Sequence, residues 1–321
     1  MKSQTAPKKL YHRPVLLQEV IEELSVVPPN GWIIDGTFGD GGHSRAIYEK
    51  IIKPYKRNRL CSVDWDMSGY SALQSHEIEL PSVLDEVTEN TEWVMVSDNF
   101  ANMRKYLPVV TKKTNTEMAL SGLLLDLGIS SRQLAQKKRG FSFHAEGKVD
   151  MRMDPEHYAV AAYDLLNILP YKKMSAMFRD TVGMPPGIAA KLTKEILIAR
   201  EVKLFGNSDD INRLTNISHK VVPIRASSKG RIHPATLLFL ALRISVNTEL
   251  QNLQEVLPVA FSYLIPSGRL LLMTYHSGEE MVVESFARQN GIRVEVILPA
   301  PREVRGNPRA RSAKLYIITK K

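Results

Sequence analysis

Four short apolar runs, at residues 32–35, 60–64, 93–96 and 120–127, are separated by longer stretches whose apolar positions recur at helical spacing. This alternation constrains the fold more than any other feature. Parallel strands need crossover connections long enough to hold a helix, and strands buried on both faces read as nearly unbroken apolar runs. The pattern predicts a doubly wound α/β sheet, with an entry helix over 14–24 and a first crossover helix over 44–52. Over 136–231 the texture changes to helical segments rich in Met, Lys and Arg, including 159–169 and 189–202. Strand-like runs return at 269–274, 293–298 and 315–319. The chain therefore reads as a discontinuous sheet domain, residues 1–135 and 232–321, carrying a helical insertion over 136–231.

The first run ends in Asp35 and enters Gly36-Thr37-Phe38-Gly39-Asp40-Gly41-Gly42-His43-Ser44, immediately before a helical stretch. Such a glycine-dense turn lets the backbone approach a bound cofactor, but on its own it serves dinucleotide enzymes and purely structural turns equally well. Asp64 closes the second run, where a carboxylate can accept hydrogen bonds from ribose hydroxyls. Together, the loop and Asp64 point to a nucleoside cofactor. A dinucleotide fits poorly, because the glycines depart from G-x-G-x-x-G spacing and Asp35 and Asp40 stand where a pyrophosphate would seek helix-terminal amides. The same acids tolerate the cationic sulfonium and amino group of S-adenosylmethionine. Asp126 ends the run Leu123-Leu124-Leu125, so its carboxylate needs a polar partner, whether as a functional group or as a structural cap.

The single cysteine, Cys61, excludes an internal disulfide and any zinc site built on paired cysteines. A reducing compartment, the cytoplasm, is expected. No apolar run approaches the roughly 20 residues needed to span a bilayer, and the basic segment 1–9 lacks the apolar core of a secretory signal, so no membrane is expected. No metal-ligand constellation is visible. The net charge of +9 suits a polyanionic partner, and it also suits an ordinary basic surface.

A series of further motifs follows in order along the chain. They are His12-Arg13-Pro14-Val15-Leu16-Leu17, the loop from Asp35 to Ser44, Leu124-Leu125-Asp126-Leu127-Gly128-Ile129-Ser130-Ser131, Arg139-Gly140-Phe141-Ser142-Phe143, Asp150-Met151-Arg152-Met153-Asp154, His233-Pro234-Ala235-Thr236, Val246-Asn247-Thr248-Glu249-Leu250 and Asn307-Pro308-Arg309-Ala310-Arg311-Ser312-Ala313. By these the chain resembles the ribosomal RNA small-subunit methyltransferase H family, also called MraW-like, over nearly its whole length. The resemblance implies a Rossmann-like class I S-adenosylmethionine-dependent methyltransferase with a seven-stranded sheet and a helical, substrate-recognising insertion after the fourth strand. It also implies N4-methylation of a cytidine in the decoding region of small-subunit (16S) ribosomal RNA, with the RNA or the small subunit as partner. Carried over residue by residue, the implied cofactor contacts are Gly41, Gly42, His43, Asp64, Phe100, Asp126 and Gln133. Phe100 would lie beside the adenine, or it is a core aromatic under a loop.

The amine of cytosine is a poor nucleophile, so alignment and acceptors for its N–H groups are the expected apparatus. The chain lacks the Asp/Asn-Pro-Pro-aromatic tetrad of many amino methyltransferases and has Asp126-Leu127-Gly128-Ile129 instead. Asp126 and His276 are the catalytic candidates, His276 being equally compatible with a buried structural role. Phe141, Phe143 and Tyr275 are stacking candidates, and Arg139, Arg152, Arg302, Arg305, Arg309, Arg311 and Lys314 candidate phosphate contacts. Where the family usually reads Phe-His-Ser-Leu-Glu-Asp-Arg, this chain has Tyr275-His276-Ser277-Gly278-Glu279-Glu280-Met281, and Ala226-Ser227-Ser228-Lys229-Gly230 replaces a more regular approach to His233. These departures keep open a non-catalytic RNA-binding ribosome-assembly factor that retains the fold. A dehydrogenase is the other alternative, disfavoured by the acidic loop.

Overall fold

A computed structural model of the chain describes residues 13–74, 79–221 and 234–321, so His12, His233 and the 226–230 stretch lie outside the described residues. Residue contacts divide the chain into two compact units, the first comprising Met1–Ser131, Gln254–Tyr275 and Val283–Lys321, the second Arg132–Leu253 and His276–Val282.

The first unit is built on one sheet. Its strands are β1 (Trp32–Asp35), β2 (Arg59–Asp64), β3 (Ser82–Val83), β4 (Trp93–Ser97), β5 (Leu120–Asp126), β6 (Leu264–Thr274), β7 (Val294–Ile297) and β8 (Lys314–Thr319), in the order β3-β4-β2-β1-β5-β6-β8-β7. All neighbours pair in parallel except β8, which runs antiparallel to both β6 and β7. The implied count of seven strands becomes eight. The addition is β3, a two-residue edge strand against β4, too short to leave a periodic signal. The seven apolar runs all fall on strands. β6 begins at Leu264, ahead of the expected 269, and β5 ends at Asp126.

Leu120–Leu125 are buried on both faces, as a central parallel strand requires. Gly122 lies where Leu24 of the helix Leu17–Ser25 comes down on the sheet, since a Cβ there would stand 2.8 Å from Leu24 Cδ2. That helix starts three residues later than its apolar pattern predicts because Leu16 is left-handed, at φ 51°. The first crossover helix starts earlier, at Gly42, and passes into a π turn over Tyr48–Ile52. The strand order reverses between β1 and β5, and ligands of open α/β sheets bind beyond the carboxyl ends of strands at such a switch point. Asp64, Asp35 and Asp126 are the last residues of three adjacent strands, β2, β1 and β5. The topology thus gathers three carboxylates from distant sequence positions at one sheet edge.

The second unit is helical, with Ala162–Ile168, Tyr171–Val182, Pro186–Val202 and Asp210–Val221, followed by Pro234–Val246. Asn247 ties it together. Its Oδ1 accepts from the Met153 amide at 2.8 Å, and its Nδ2 donates to the carbonyls of Met151 (2.8 Å) and Arg243 (2.9 Å). The Asp150-Met151-Arg152 segment that it clamps carries Met151 at φ 63°, a conformation that needs such support. Replacing Asn247 with Ala strands the buried Met153 amide and the Met151 carbonyl, while the Arg243 carbonyl keeps the Asn247 backbone amide at 3.1 Å, so Asn247→Ala is expected to destabilise this unit by about 2–4 kcal/mol, read by urea denaturation and by faster hydrogen exchange at the Met153 amide.

Candidate cofactor and active site

The glycine-rich loop is held by carboxylates. Asp35 has no exposed surface; its Oδ1 accepts from the Thr37 amide at 3.1 Å and its Oδ2 from Ser44 Oγ at 2.6 Å. Ser44 Oγ lies 2.6 Å from Ser62 Oγ, which also accepts from Trp93 Nε1 at 2.9 Å. Burial pushes the Asp35 carboxyl up, opposed by His43, Ser44 and the Thr37 amide. The role of Asp35 is therefore to tie the loop to β2.

Asp64 works one layer out. Its Oδ2 accepts from the Gly39 amide at 2.7 Å and its Oδ1 from the Asp66 amide at 2.9 Å. Burial pushes its carboxyl up to about 7, against the pull of those two amides. Gly39 and Gly41 take φ of 54° and 74°, the left-handed region that glycine adopts without strain. The helix Ser68–Leu73 presses so close beneath the loop that a Cβ on Gly69 would stand 1.9 Å from the Gly39 carbonyl oxygen.

His43, almost fully buried, joins three segments. Its Nε2 lies 3.0 Å from the Val15 carbonyl oxygen, and its Nδ1 lies 3.5 Å from Asp126 Oδ2. A carbonyl can only accept, so Nε2 carries the donated proton and Nδ1 is the nitrogen that faces the carboxylate. The segment bearing Val15 crosses directly over the loop, since a Cβ on Gly42 would stand 2.5 Å from Pro14 Cγ. The C-terminal stretch 303–307 pins that segment. Asn307 Nδ2 donates to the Arg13 carbonyl at 3.0 Å, and Glu303 Oε1 accepts from the Leu16 amide at 2.8 Å.

Asp126 is fixed through its backbone and its side chain. Its amide donates to Thr37 Oγ1 at 2.7 Å, and its Oδ1 accepts from the Tyr275 hydroxyl at 2.6 Å. Arg309 stands in the same electrostatic neighbourhood. Burial lowers its proton affinity while Tyr275, Asp126 and Asp40 raise it. Phe100 opens the short turn that follows β4, and its Cβ packs where a Cβ on Gly36 would stand 3.0 Å away. The structure thus brings Gly41, Gly42, His43, Asp64, Phe100 and Asp126 together around the loop and the β1–β5 switch point. It adds Thr37, Tyr275 and Arg309. From sequence alone Tyr275 and Arg309 read only as RNA contacts, and a hydroxyl two residues into a glycine-rich turn gives no sequence signal.

Gln133 and His276 belong to the second unit. Gln133 is buried in the short helix Ser131–Ala135. His276 Nε2 lies 3.2 Å from Glu279 Oε1, out of line for a hydrogen bond, while Nδ1 accepts from the Glu279 amide at 3.4 Å. Three RNA candidates are committed internally. Arg139 donates to the carbonyls of Arg152 and Met153, both at 2.8 Å; Arg152 pairs with Asp150 at 2.7 and 2.8 Å; Phe141 is buried. Among the described residues no group of His, Cys, Asp and Glu is placed to hold a metal ion.

The model of the MraW methylase family matches residues 9–321. The chain is 34% identical to the ribosomal RNA small subunit methyltransferase H of Heliobacterium mobile over 97% of its own length and 99% of that protein's. It is 36% identical to the protein of that name from Burkholderia cenocepacia, covering 96% of this chain and 97% of that one. Among solved structures, an rRNA methylase from Streptococcus thermophilus aligns over 98% of this chain and 99% of that chain with a TM-score of 0.40 and 9% identity, too loose a likeness to argue from. The family match and the identities over nearly full length agree, and the chain belongs to the MraW methylase family.

Proposed function

We propose that this chain transfers a methyl group from S-adenosylmethionine to the exocyclic N4 of a cytidine in the decoding region of small-subunit ribosomal RNA. The observation that carries the reading is the Asp126 carboxylate, held at the carboxyl end of β5 beside the loop, in a chain whose curated relatives are named as small-subunit rRNA methyltransferases. A methylase family whose loop and strand-end acids are all in place argues against the alternative of a non-catalytic assembly factor.

The residues fit the cofactor by their donor chemistry. Asp64 uses one lone pair on each oxygen for a backbone amide, and a carboxylate has about four acceptor sites, so two remain to meet ribose hydroxyls. Phe100 offers a ring face for an adenine, and Gly41 and Gly42 bring backbone rather than side chains to the site. The acidic surroundings suit a cation and repel phosphate. When bound, S-adenosylmethionine supplies an electrophilic methyl group on its sulfonium. Asp126 accepts an N–H hydrogen bond from the cytosine amine, which localises the nitrogen lone pair, and it is the candidate to take up the proton released. Gln133 completes the cofactor contacts, and His276 is a second candidate for contact with the base. Residues 136–231 form the substrate-recognition insertion, with the RNA or the small subunit as partner, and the base must leave its stack to reach the methyl. The cytoplasm, where free subunits occur, is the proposed compartment; no helix among the described residues is long and apolar enough to cross a membrane.

Labelled S-adenosylmethionine incubated with unmodified small subunits should yield N4-methylcytidine at one decoding-region position, located by nuclease digestion and mass spectrometry. Label on another base would discard the specificity, and no label on subunits that an active relative methylates would discard the function. In the same assay Asp126→Asn is expected to lower kcat by about 10²-fold. The raised Asp64 carboxyl gives a pH dependence of fixed sign. Below about 7 it holds its proton and accepts poorly from ribose; above, it is ionised. Cofactor affinity should therefore tighten about tenfold from pH 6 to pH 8 by calorimetry, and Asp64→Asn should remove that rise.

A further inference from the structure

Asp126 has a neighbour at each carboxylate oxygen. His43 Nδ1 lies 3.5 Å from Oδ2, and the Tyr275 hydroxyl donates to Oδ1 at 2.6 Å. The second contact follows from the register of the sheet. Asp126 of β5 stands beside Met273 of β6, and residues two apart along an extended chain share a face, so Tyr275 reaches the same edge of the sheet as Asp126. The hydroxyl also lies 3.2 Å from Met273 Sδ, but a thioether is a weak acceptor and the single proton goes to the carboxylate. A 2.6 Å bond from a hydroxyl to a carboxylate is of the short, charge-assisted kind.

We infer that Tyr275 is a positioning residue for methyl transfer: by donating to Oδ1 it fixes the rotamer of Asp126, keeps that carboxylate ionised and presents Oδ2 toward the acceptor amine beside His43. The inference rests on the function proposed above. The bond exists in full only while Oδ1 is unprotonated, so it favours the charged form that can accept from an amine. The other groups around Asp126 pull in both directions. Arg309, in the turn Pro308–Ser312, and His43 when protonated favour the carboxylate, whereas an ionised Asp35 on the neighbouring strand β1 opposes it. Tyr275 is the member of this set whose contact can be removed without changing any formal charge.

Tyr275→Phe removes one oxygen and keeps the ring. Two readouts test it, the first requiring neither cofactor nor RNA. The Asp126 side-chain carboxyl carbon, followed by NMR in protein labelled with carbon-13 aspartate and assigned by its loss in Asp126→Asn, should titrate about one pH unit higher in Tyr275→Phe than in the parent. In the methylation assay the variant should lose about tenfold in kcat at neutral pH, with the acid limb of kcat moved to higher pH and the KM for S-adenosylmethionine within about twofold of the parent. Coincident titration curves overturn the inference. So does a fall in kcat that is equal at every pH, or a loss of thermal stability with no titration shift, since either marks a ring that only packs. If the parent protein methylates nothing, the proposed function fails, while the titration still decides whether Tyr275 controls Asp126.

Discussion

The site depends on a single buried imidazole. His43 has two ring nitrogens and uses one on the Val15 carbonyl and the other toward Asp126, so it couples the N-terminal segment to the end of the central strand through the first turn of a helix. Neither partner is local in sequence. The N-terminal segment runs over Gly42 with a left-handed residue at Leu16, and it stays there because Asn307 and Glu303 bind its backbone from the other end of the chain. The first and last motifs of the sequence therefore act as one device. Both are needed before the loop has a roof.

Around that device the same residue type does three different jobs, separated by depth. Asp35 is wholly buried and spends both oxygens on the loop and its helix; a carboxylate so enclosed is tolerable because hydroxyls and an amide surround it. Asp64 accepts two amides but keeps an open side, and its proton affinity rises with burial to where it can change charge near neutrality. Asp126, whose side chain is 26% exposed, has the Tyr275 hydroxyl on one oxygen and the His43 ring beside the other. An aspartate ending each of three adjacent strands is thus a graded set, and the topology does the grading.

Much of this arrangement is legible in the sequence. Short apolar runs bounded by turn residues, such as Leu123-Leu124-Leu125, read as buried strands, and Asp35, Asp64 and Asp126 follow three of them in the primary structure. What sequence leaves hidden are features whose cause is tertiary. The start of the first helix is displaced by a left-handed Leu16 whose amide is bound by Glu303, and β3 is two residues held against β4 by the sheet edge. Asn247 looks like one polar residue in a helical stretch until its two ends are seen closing on Met151 and Met153. Tyr275 reads as a stacking ring because its position alone does not reveal that its hydroxyl is already engaged.

Counting charge misleads in the same way. A net charge of +9 invites the arginines of the helical unit to be read as phosphate contacts, yet many of them are structural. Arg139 holds two carbonyls, Arg152 a carboxylate, Arg200 the open end of the helix Ala162–Ile168, Arg213 three carbonyls and Asp210, and Arg243 the two oxygens of Glu249. A guanidinium with five donors in a fixed fork is the side chain best suited to satisfying carbonyls at helix ends and irregular loops. An insertion rich in such segments needs arginine for its own folding. Exposed cations that could meet a polyanion include Lys137, Lys138, Lys172, Lys173, Arg179, Lys191 and Lys194 in the helical unit, and Arg302, Arg305 and Arg311 near the C-terminus. In the stretch 302–311, Asn307 and Glu303 hold the roof of the site while Arg302, Arg305 and Arg311 are exposed, so the segment that completes the site also offers positive charge to an RNA.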